Sequence, residues 1–92
     1  MKYIFLGTIA PEWLGRHEKR VKACKDKAAE LGMTFEGINY TQGVYDFVDV
    51  VDVSDPFIVL GFSIWYGKQG YGKITTMPAF DEAAMGKAVA AA

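Results

Sequence analysis

The segment from Pro11 to Leu31 constrains the fold more than any other part of the chain. Along it, apolar or weakly polar side chains recur at steps of three and four residues, at Leu14, His17, Val21, Cys24, Ala28 and Leu31. This spacing marks one face of an α-helix. The opposite face and its flanks carry charged residues, namely Arg16, Lys19, Arg20, Lys22, Lys27 and Glu30. Pro11 suits a first helical position and Gly32 suits the position after the last one.

Four segments rich in β-branched and aromatic residues predict strands around this helix. They span residues 1–8, 33–42, 45–53 and 73–77. A short turn at Gln42–Gly43–Val44 would join the second and third strands as a hairpin. Pro78 is expected to end the fourth strand.

Two further helices complete the predicted order. Asp55 and Pro56 have the residue types of an N-cap and a first helical position, which predicts a second helix over 57–66. Asp81 begins a short alanine-rich tail helix. The order βαββαβ plus a tail predicts one domain, residues 1–92, with an α+β, ferredoxin-like fold. In that fold a four-stranded antiparallel sheet has its first and third strands at the centre and both main helices on one face.

Composition excludes several classes of function. Net charge is −1 with both signs mixed along the chain, which does not favour nucleic acid as a partner. The longest apolar run, 57–66, is far shorter than the ~20 residues that span a bilayer, so no membrane partner is expected. One cysteine, Cys24, and one histidine, His17, favour neither a disulfide nor a metal site. We expect a cytoplasmic protein without a cofactor.

The turn Gly43–Asp46, followed by Phe47–Val48, carries a resemblance to a known family. Together with the Pro11–Glu12 helix start and Ala79–Phe80 after the last strand, it resembles the GYD domain family over essentially the whole chain. The resemblance implies a dimeric α/β barrel, in which two ferredoxin-like protomers press their sheets together. It implies no particular reaction, because relatives in that superfamily include cofactor-free monooxygenases, isomerases, cyclases, haem enzymes and stress-response proteins. The family commonly has an aliphatic residue where this chain has Asp49.

Alternation along the strands sorts the side chains into two faces. The first set is mainly aliphatic and comprises Ile4, Leu6, Ile38, Tyr40, Val48, Val50 and Ile74. The second set mixes aromatic and polar groups and comprises Tyr3, Phe5, Gly7, Phe35, Gly37, Asn39, Thr41, Tyr45, Phe47, Asp49, Val51, Lys73, Thr75 and Met77. We expect the first set to pack under the helices and the second to face a partner protomer. The reverse assignment would bring His17 towards Asp49.

Asp49 is the strongest candidate for chemistry, because its carboxylate falls within the mixed aromatic and polar face. Burial there requires a raised pKa or a partner, and Lys73, Asn39, Thr75 and Tyr45 are candidates. Asp49 and His17 are the candidate catalytic residues. The candidate ligand-binding residues are Tyr3, Phe5, Asn39, Tyr45, Phe47, Lys73 and Thr75. The alternatives are structural: Asp49 would fix the dimer register, and His17 would be a satisfied core or rim residue.

The turn at Asp46, the glycine-rich segment 66–73 and the helix over 57–66 each predict a further structural feature. Asp46 follows a glycine turn, where a carboxylate can accept backbone N–H groups, which favours a structural role. The glycine-rich segment 66–73 lacks the order of a phosphate-binding loop and is predicted to be a flexible connector. The helix over 57–66 is apolar on nearly every side, so it predicts assembly with another protomer or protein.

Three functions remain open at this point. The first is binding of a small aromatic or apolar molecule in a homodimeric or larger α/β barrel. The second is a cofactor-independent isomerase, cyclase or monooxygenase of the same architecture. The third is an accessory subunit that docks on a larger partner through helix 57–66. The absence of a complete catalytic constellation favours binding.

Overall fold

Strands and helices follow the predicted order in the computed structural model, which describes residues 1–92. The strands are β1 (Lys2–Gly7), β2 (Thr34–Tyr40), β3 (Phe47–Asp52) and β4 (Ile74–Ala79). The helices are a 3₁₀-helix (Pro11–Arg16), α1 (His17–Leu31), α2 (Pro56–Lys68) and α3 (Glu82–Ala91). The strands form one antiparallel sheet in the order β2-β3-β1-β4. This confirms the ferredoxin-like prediction, with β1 and β3 at the centre.

The predicted caps define the ends of the helices. The Asp55 carboxylate accepts the Phe57 N–H at 2.9 Å at the start of α2, and the Asp81 carboxylate accepts the Ala84 N–H at 2.8 Å at the start of α3. Gly32 ends α1 in the left-handed conformation, at a φ of 80°.

Several boundaries differ from the prediction by one or two residues, α2 among them, which extends to Lys68. Two further differences change the local geometry. The first helical segment begins as a 3₁₀-helix, and α-helical geometry starts only at His17. Strand β4 continues through Pro78 to Ala79. It tolerates proline because it is an edge strand, and an edge residue can lack an N–H without breaking the sheet.

The preferred assignment of the two sheet faces is wrong. The helices cover the aromatic face, where Phe5, Phe47 and Val51 are almost fully buried. Helix α2 explains this choice, since its own buried residues include Phe62 and Tyr66. The Phe5 and Phe62 rings stack with centroids 5.8 Å apart, and those of Phe47 and Tyr66 meet edge to face at 5.9 Å. Aromatic rings on the sheet thus match aromatic rings on the helix.

A β-bulge changes the alternation in β2. Phe35 pairs with Val51, but Gly37 pairs with Val50, so one residue is extra between them. Beyond the bulge, Ile38 stands opposite Asp49. Residues directly opposite each other share a sheet face. Ile38, and Tyr40 after it, therefore lie on the helix-covered face, whereas the sequence placed them with the aliphatic set.

Strand β4 also has the opposite alternation from the one predicted. Ile74 pairs with Gly7 and is buried under the helices, and Thr75 pairs with Leu6 on the open face. No sequence feature of the glycine-rich connector before Ile74 fixes which residue first joins the sheet.

Gly7 illustrates how tightly the aromatic layer fits. A Cβ atom added there would overlap the Phe47 ring. We expect Gly7→Ala to lower the free energy of unfolding by about 1–3 kcal/mol through overpacking, measured by urea denaturation. Gly37→Ala is the matched control, because the atoms nearest to its added Cβ lie 3.9 Å away. Equal stability of the two variants would contradict this packing.

Candidate functional site

A cavity lies between α1, α2 and the helix-covered face of the sheet. Its volume is about 30 Å³, enough for one or two water molecules. Thirteen residues line it: Phe5, Arg20, Val21, Cys24, Lys25, Phe35, Ile38, Tyr40, Phe47, Asp49, Phe62, Tyr66 and Ile74. Its wall is therefore largely aromatic and aliphatic, with a few convergent polar groups.

Arg20 brings a positive charge to this cavity from α1. The residue is only 4% exposed. Its Nη1 donates to the Tyr66 hydroxyl at 3.4 Å, and that hydroxyl donates to the Thr8 carbonyl at 3.1 Å. The guanidinium carbon lies 5.7 Å from the centroid of the Phe47 ring, within cation–π range. Two other guanidinium nitrogens, Nε and Nη2, are buried without a hydrogen-bond partner.

Asp49 brings a carboxyl group to the same cavity from the central strand β3. Burial raises its pKa to about 6, although the Asn39 backbone N–H and the Arg20 charge both lower it. Its Oδ1 atom is buried without a partner. Arg20 and Asp49 form no ion pair within 4.0 Å. The two buried polar groups therefore line one cavity while each keeps unpaired atoms.

Burial also determines the protonation state of the Cys24 thiol in the cavity wall. It raises the pKa of the Cys24 thiol to about 11, so the thiol is protonated at neutral pH and is a poor nucleophile. No group of three or more His, Cys, Asp or Glu side chains has the arrangement of a metal site.

The structure brings together three of the residues singled out from the sequence. Phe5, Phe47 and Asp49 all line the cavity. His17 lies outside the lining, exposed, with its ring centroid 5.2 Å from that of Tyr40. Tyr3 is half-buried and packs against the core.

The other predicted ligand-binding residues lie elsewhere. Thr75 is on the open face of the sheet, as is Asn39, which reaches Asp49 only through its backbone N–H. Tyr45 lies in the β2–β3 turn, where its carbonyl accepts the Thr41 hydroxyl at 2.6 Å. Lys73 is exposed and forms no ion pair. The charged neighbour of Asp49 is therefore Arg20 and not Lys73, which corrects the expected pairing.

Asp46 has the structural role predicted for it. Its Oδ2 accepts the Ile9 N–H at 2.7 Å, and its own N–H donates to the Gly7 carbonyl at 2.8 Å. These bonds fasten the β2–β3 turn to the loop after β1. The donor to the carboxylate is distant in sequence, which local turn patterns could not reveal.

Arg20 is the buried charged residue of the cavity lining that the sequence interpretation missed. It was grouped with the solvated charges of α1. Yet it lies three residues after His17 and four before Cys24, which is the spacing of the buried face. The helical pattern alone could therefore have identified Arg20 as a buried charge.

The raised pKa of Asp49 predicts a pH dependence of stability. Below pH 3.8, the ordinary pKa of the carboxyl, the group is protonated in both the folded and unfolded states. Between pH 3.8 and about 6 the unfolded chain loses this proton while the folded protein keeps it, so the free energy of unfolding falls across this range and levels off above it. The shift corresponds to about 3 kcal/mol. We expect Asp49→Asn to remove this decline in urea unfolding series measured across pH.

Asp52→Asn provides the matched control on the same strand, because Asp52 is exposed and pairs with the terminal ammonium at 3.2 Å. That variant keeps Asp49 and should keep the decline caused by it. The same pH profile in the wild type and in Asp49→Asn would contradict the burial of an unpaired carboxyl.

Comparison with solved structures finds a protein of similar fold. The chain is similar in structure to 5-chloro-2-hydroxyhydroquinone dehydrochlorinase (TftG) from Burkholderia phenoliruptrix AC1100, solved in complex with 2,5-dihydroxybenzoquinone. The TM-score is 0.64 at 11% sequence identity, over 91% of this chain and 98% of the dehydrochlorinase chain. At this identity the similarity shows the fold alone.

Sequence comparisons give a more specific result. No curated protein sequence matches the chain significantly. Within the structure, no helix is long and apolar enough to cross a membrane. The profile of the GYD domain matches residues 3–89. The match includes every strand and both helices that form the cavity, and the chain therefore belongs to the GYD domain family.

Proposed function

We propose that this protein binds a small aromatic molecule in the cavity between α1, α2 and the sheet. The observation that carries the proposal is the pair of buried polar side chains, Arg20 and Asp49, which line an aromatic-walled cavity and have buried atoms without a partner. Small-molecule sites typically combine apolar walls with a few polar groups that orient the ligand. A bound molecule would supply the missing partners.

Entry of an aromatic ring requires the cavity to widen at its mouth. Tyr40 is 51% exposed and Ile38 is 39% exposed, and both line the cavity from the edge strand β2. Lys25 lines it from the exposed surface of α1. Exposed side chains change rotamer with little loss of packing, so outward rotation of these three would admit a ring.

The structural similarity guides the choice of first ligand. The dehydrochlorinase with the same fold was solved with 2,5-dihydroxybenzoquinone, a planar six-membered ring bearing oxygens. Such a ring would place its faces against the aromatic wall and its oxygens near the buried charges. This compound is therefore a suitable first probe for the cavity.

A cofactor-independent enzyme is the second candidate function. Its specific support is Asp49, since a carboxyl with a pKa of about 6 is suited to general-base catalysis near neutral pH. His17 would act only if the mouth rearranged, because it stands outside the cavity lining. In this function Asp49→Asn would abolish turnover.

Fluorescence of the half-buried Trp65 tests the binding proposal. Its ring centroid lies 5.5 Å from that of Phe62, which lines the cavity. We expect 2,5-dihydroxybenzoquinone to quench this fluorescence saturably. Cys24→Phe fills the cavity and should weaken binding at least about tenfold, equivalent to 1.4 kcal/mol.

Ala29→Phe is the matched control, because Ala29 is exposed on the same helix and is not part of the cavity lining. It should bind as the wild type does. Quenching that is linear in ligand concentration, or equal in both variants, would contradict binding in this cavity.

The open face of the sheet supports a proposal about assembly. Ile4, Leu6, Val48 and Val50 are half-buried in the single chain, although no helix covers them. Four strands of about six residues give a face of roughly 19 by 20 Å, comparable to the largest apolar patches on monomers, which are often functional. We propose that a second copy of the chain covers this face, so that the ligand site and the dimer interface lie on opposite sides of the sheet.

Helix α2 offers a competing surface. Phe57, Leu60 and Ile64 are more than half exposed and follow one side of the helix. This stripe would be the contact in an accessory subunit, the third candidate function. The same stripe would also be the contact if copies of this chain assembled through α2.

One charged substitution on each surface shows which of the two forms the dimer interface. We expect Val50→Glu to convert a dimer into a monomer at micromolar concentration, because the carboxylate would be buried between two apolar sheets. Leu60→Glu should leave the dimer intact. Sedimentation velocity measures both. A dimer that survives Val50→Glu and dissociates in Leu60→Glu would place the interface on α2.

A further inference from the structure

Arg20 and Asp49 both line one cavity, and each keeps buried polar atoms without a partner, which suggests a class of ligand. Resting on the proposed function, we propose that the cavity selects aromatic molecules carrying an ionised oxygen next to a hydroxyl group. Arg20 binds the ionised oxygen and Asp49 binds the hydroxyl group. The class includes 2-hydroxybenzoates and ionised hydroxyquinones.

The free atoms of Arg20 fit an anion. Its guanidinium is positively charged at every relevant pH. The unpartnered nitrogens, Nε and Nη2, form one edge of the planar group, and their N–H bonds form the fork that binds a carboxylate or similar oxyanion in a bidentate manner. The third nitrogen, Nη1, already donates to Tyr66, which holds the group in place.

The free atom of Asp49 fits a neutral donor. The backbone N–H of Asn39 lowers the pKa of the carboxyl, and the carboxyl Oδ1 has no partner. When Asp49 is ionised, a second anion close to Oδ1 would be repelled, whereas a hydroxyl group can donate to it. A ligand that satisfies both residues therefore carries a charged oxygen for Arg20 and a neighbouring hydroxyl group for Asp49.

The wall fits the remainder of such a ligand. Phe5, Phe35, Phe47 and Phe62 all contribute to the lining, so the ring of the ligand would contact aromatic surfaces. Lys25 is the only other cationic residue in the lining. It lies exposed at the mouth, where water screens its charge more strongly than that of Arg20.

Three ring compounds of similar size test this selectivity. We would measure the binding of 2-hydroxybenzoate, benzoate and 2-hydroxybenzamide to the wild type by isothermal titration calorimetry. The first carries both features, the second lacks the hydroxyl group and the third lacks the charge. We expect 2-hydroxybenzoate to bind at least about tenfold more tightly than 2-hydroxybenzamide, as a hydrogen bond to a charged group would provide. It should also bind more tightly than benzoate.

Two variants test which residue causes the preference for the charged 2-hydroxybenzoate over the neutral 2-hydroxybenzamide. Arg20→Met should bind 2-hydroxybenzoate and 2-hydroxybenzamide equally. Lys25→Met should keep the preference of the wild type. If Arg20→Met does not fold, judged by circular dichroism, the three compounds with the wild type and Lys25→Met still decide the outcome.

The outcomes separate this inference from the proposed function. Equal affinity of the wild type for all three compounds would overturn the selectivity and leave aromatic binding intact. Loss of the preference in Lys25→Met would assign the charge recognition to the mouth and overturn the role of Arg20. No binding of these compounds or of 2,5-dihydroxybenzoquinone would overturn both proposals and leave water as the partner of the two buried groups.

Discussion

The guanidinium of Arg20, buried between α1 and the sheet, is the constraint on which the interior depends. An arginine cannot lose its charge on burial, so the surrounding residues must stabilise it. Tyr66 from α2 accepts one of its hydrogen bonds, Phe47 from β3 offers a ring face, and Asp49 contributes a negative charge nearby. Both main helices and the central strand therefore meet at this one charge. The atoms that remain unpaired are those we assign to a ligand.

The aromatic layer around Arg20 places the cavity on one side of the sheet. The rings of β1 and β3 pack against those of α2, and Gly7 leaves space for the Phe47 ring. The β2 bulge then turns Ile38 and Tyr40 onto the same face, where they form the mouth. The aliphatic residues are left on the other face. In this account a second copy would cover that face without closing the ligand site.

Much of this fold could be predicted from the sequence because its signals are local. Helical spacing, the caps at Asp55 and Asp81 and the glycine at the end of α1 all act within a few residues. The order of the elements then determined the sheet. Asp49 was identified as unusual because strand alternation placed a carboxyl among aromatic side chains.

The sidedness of the sheet could not be predicted in this way. A bulge of one residue in β2 and a shift of one residue in β4 reverse the alternation. Gly37 is a residue type that often marks a bulge, but it does not by itself fix the register. The expectation that aliphatic strand residues would meet α1 ignored the aromatic content of α2. The same error of alternation makes Lys73 one of four candidate partners of Asp49. Arg20 is missing from that set because charged helical residues usually face solvent.

The most direct test of the account is the side-chain NMR signal of the Arg20 Nε–H group. The chain contains two arginines, and Arg16 is exposed beside Trp13. The Arg16 signal therefore serves as an internal reference in each spectrum. We expect saturating 2-hydroxybenzoate to shift the Arg20 signal and to protect its proton from exchange, while the Arg16 signal stays unchanged. An Arg20 signal that does not move, while backbone signals elsewhere report binding, would show that the buried charge is not the ligand site.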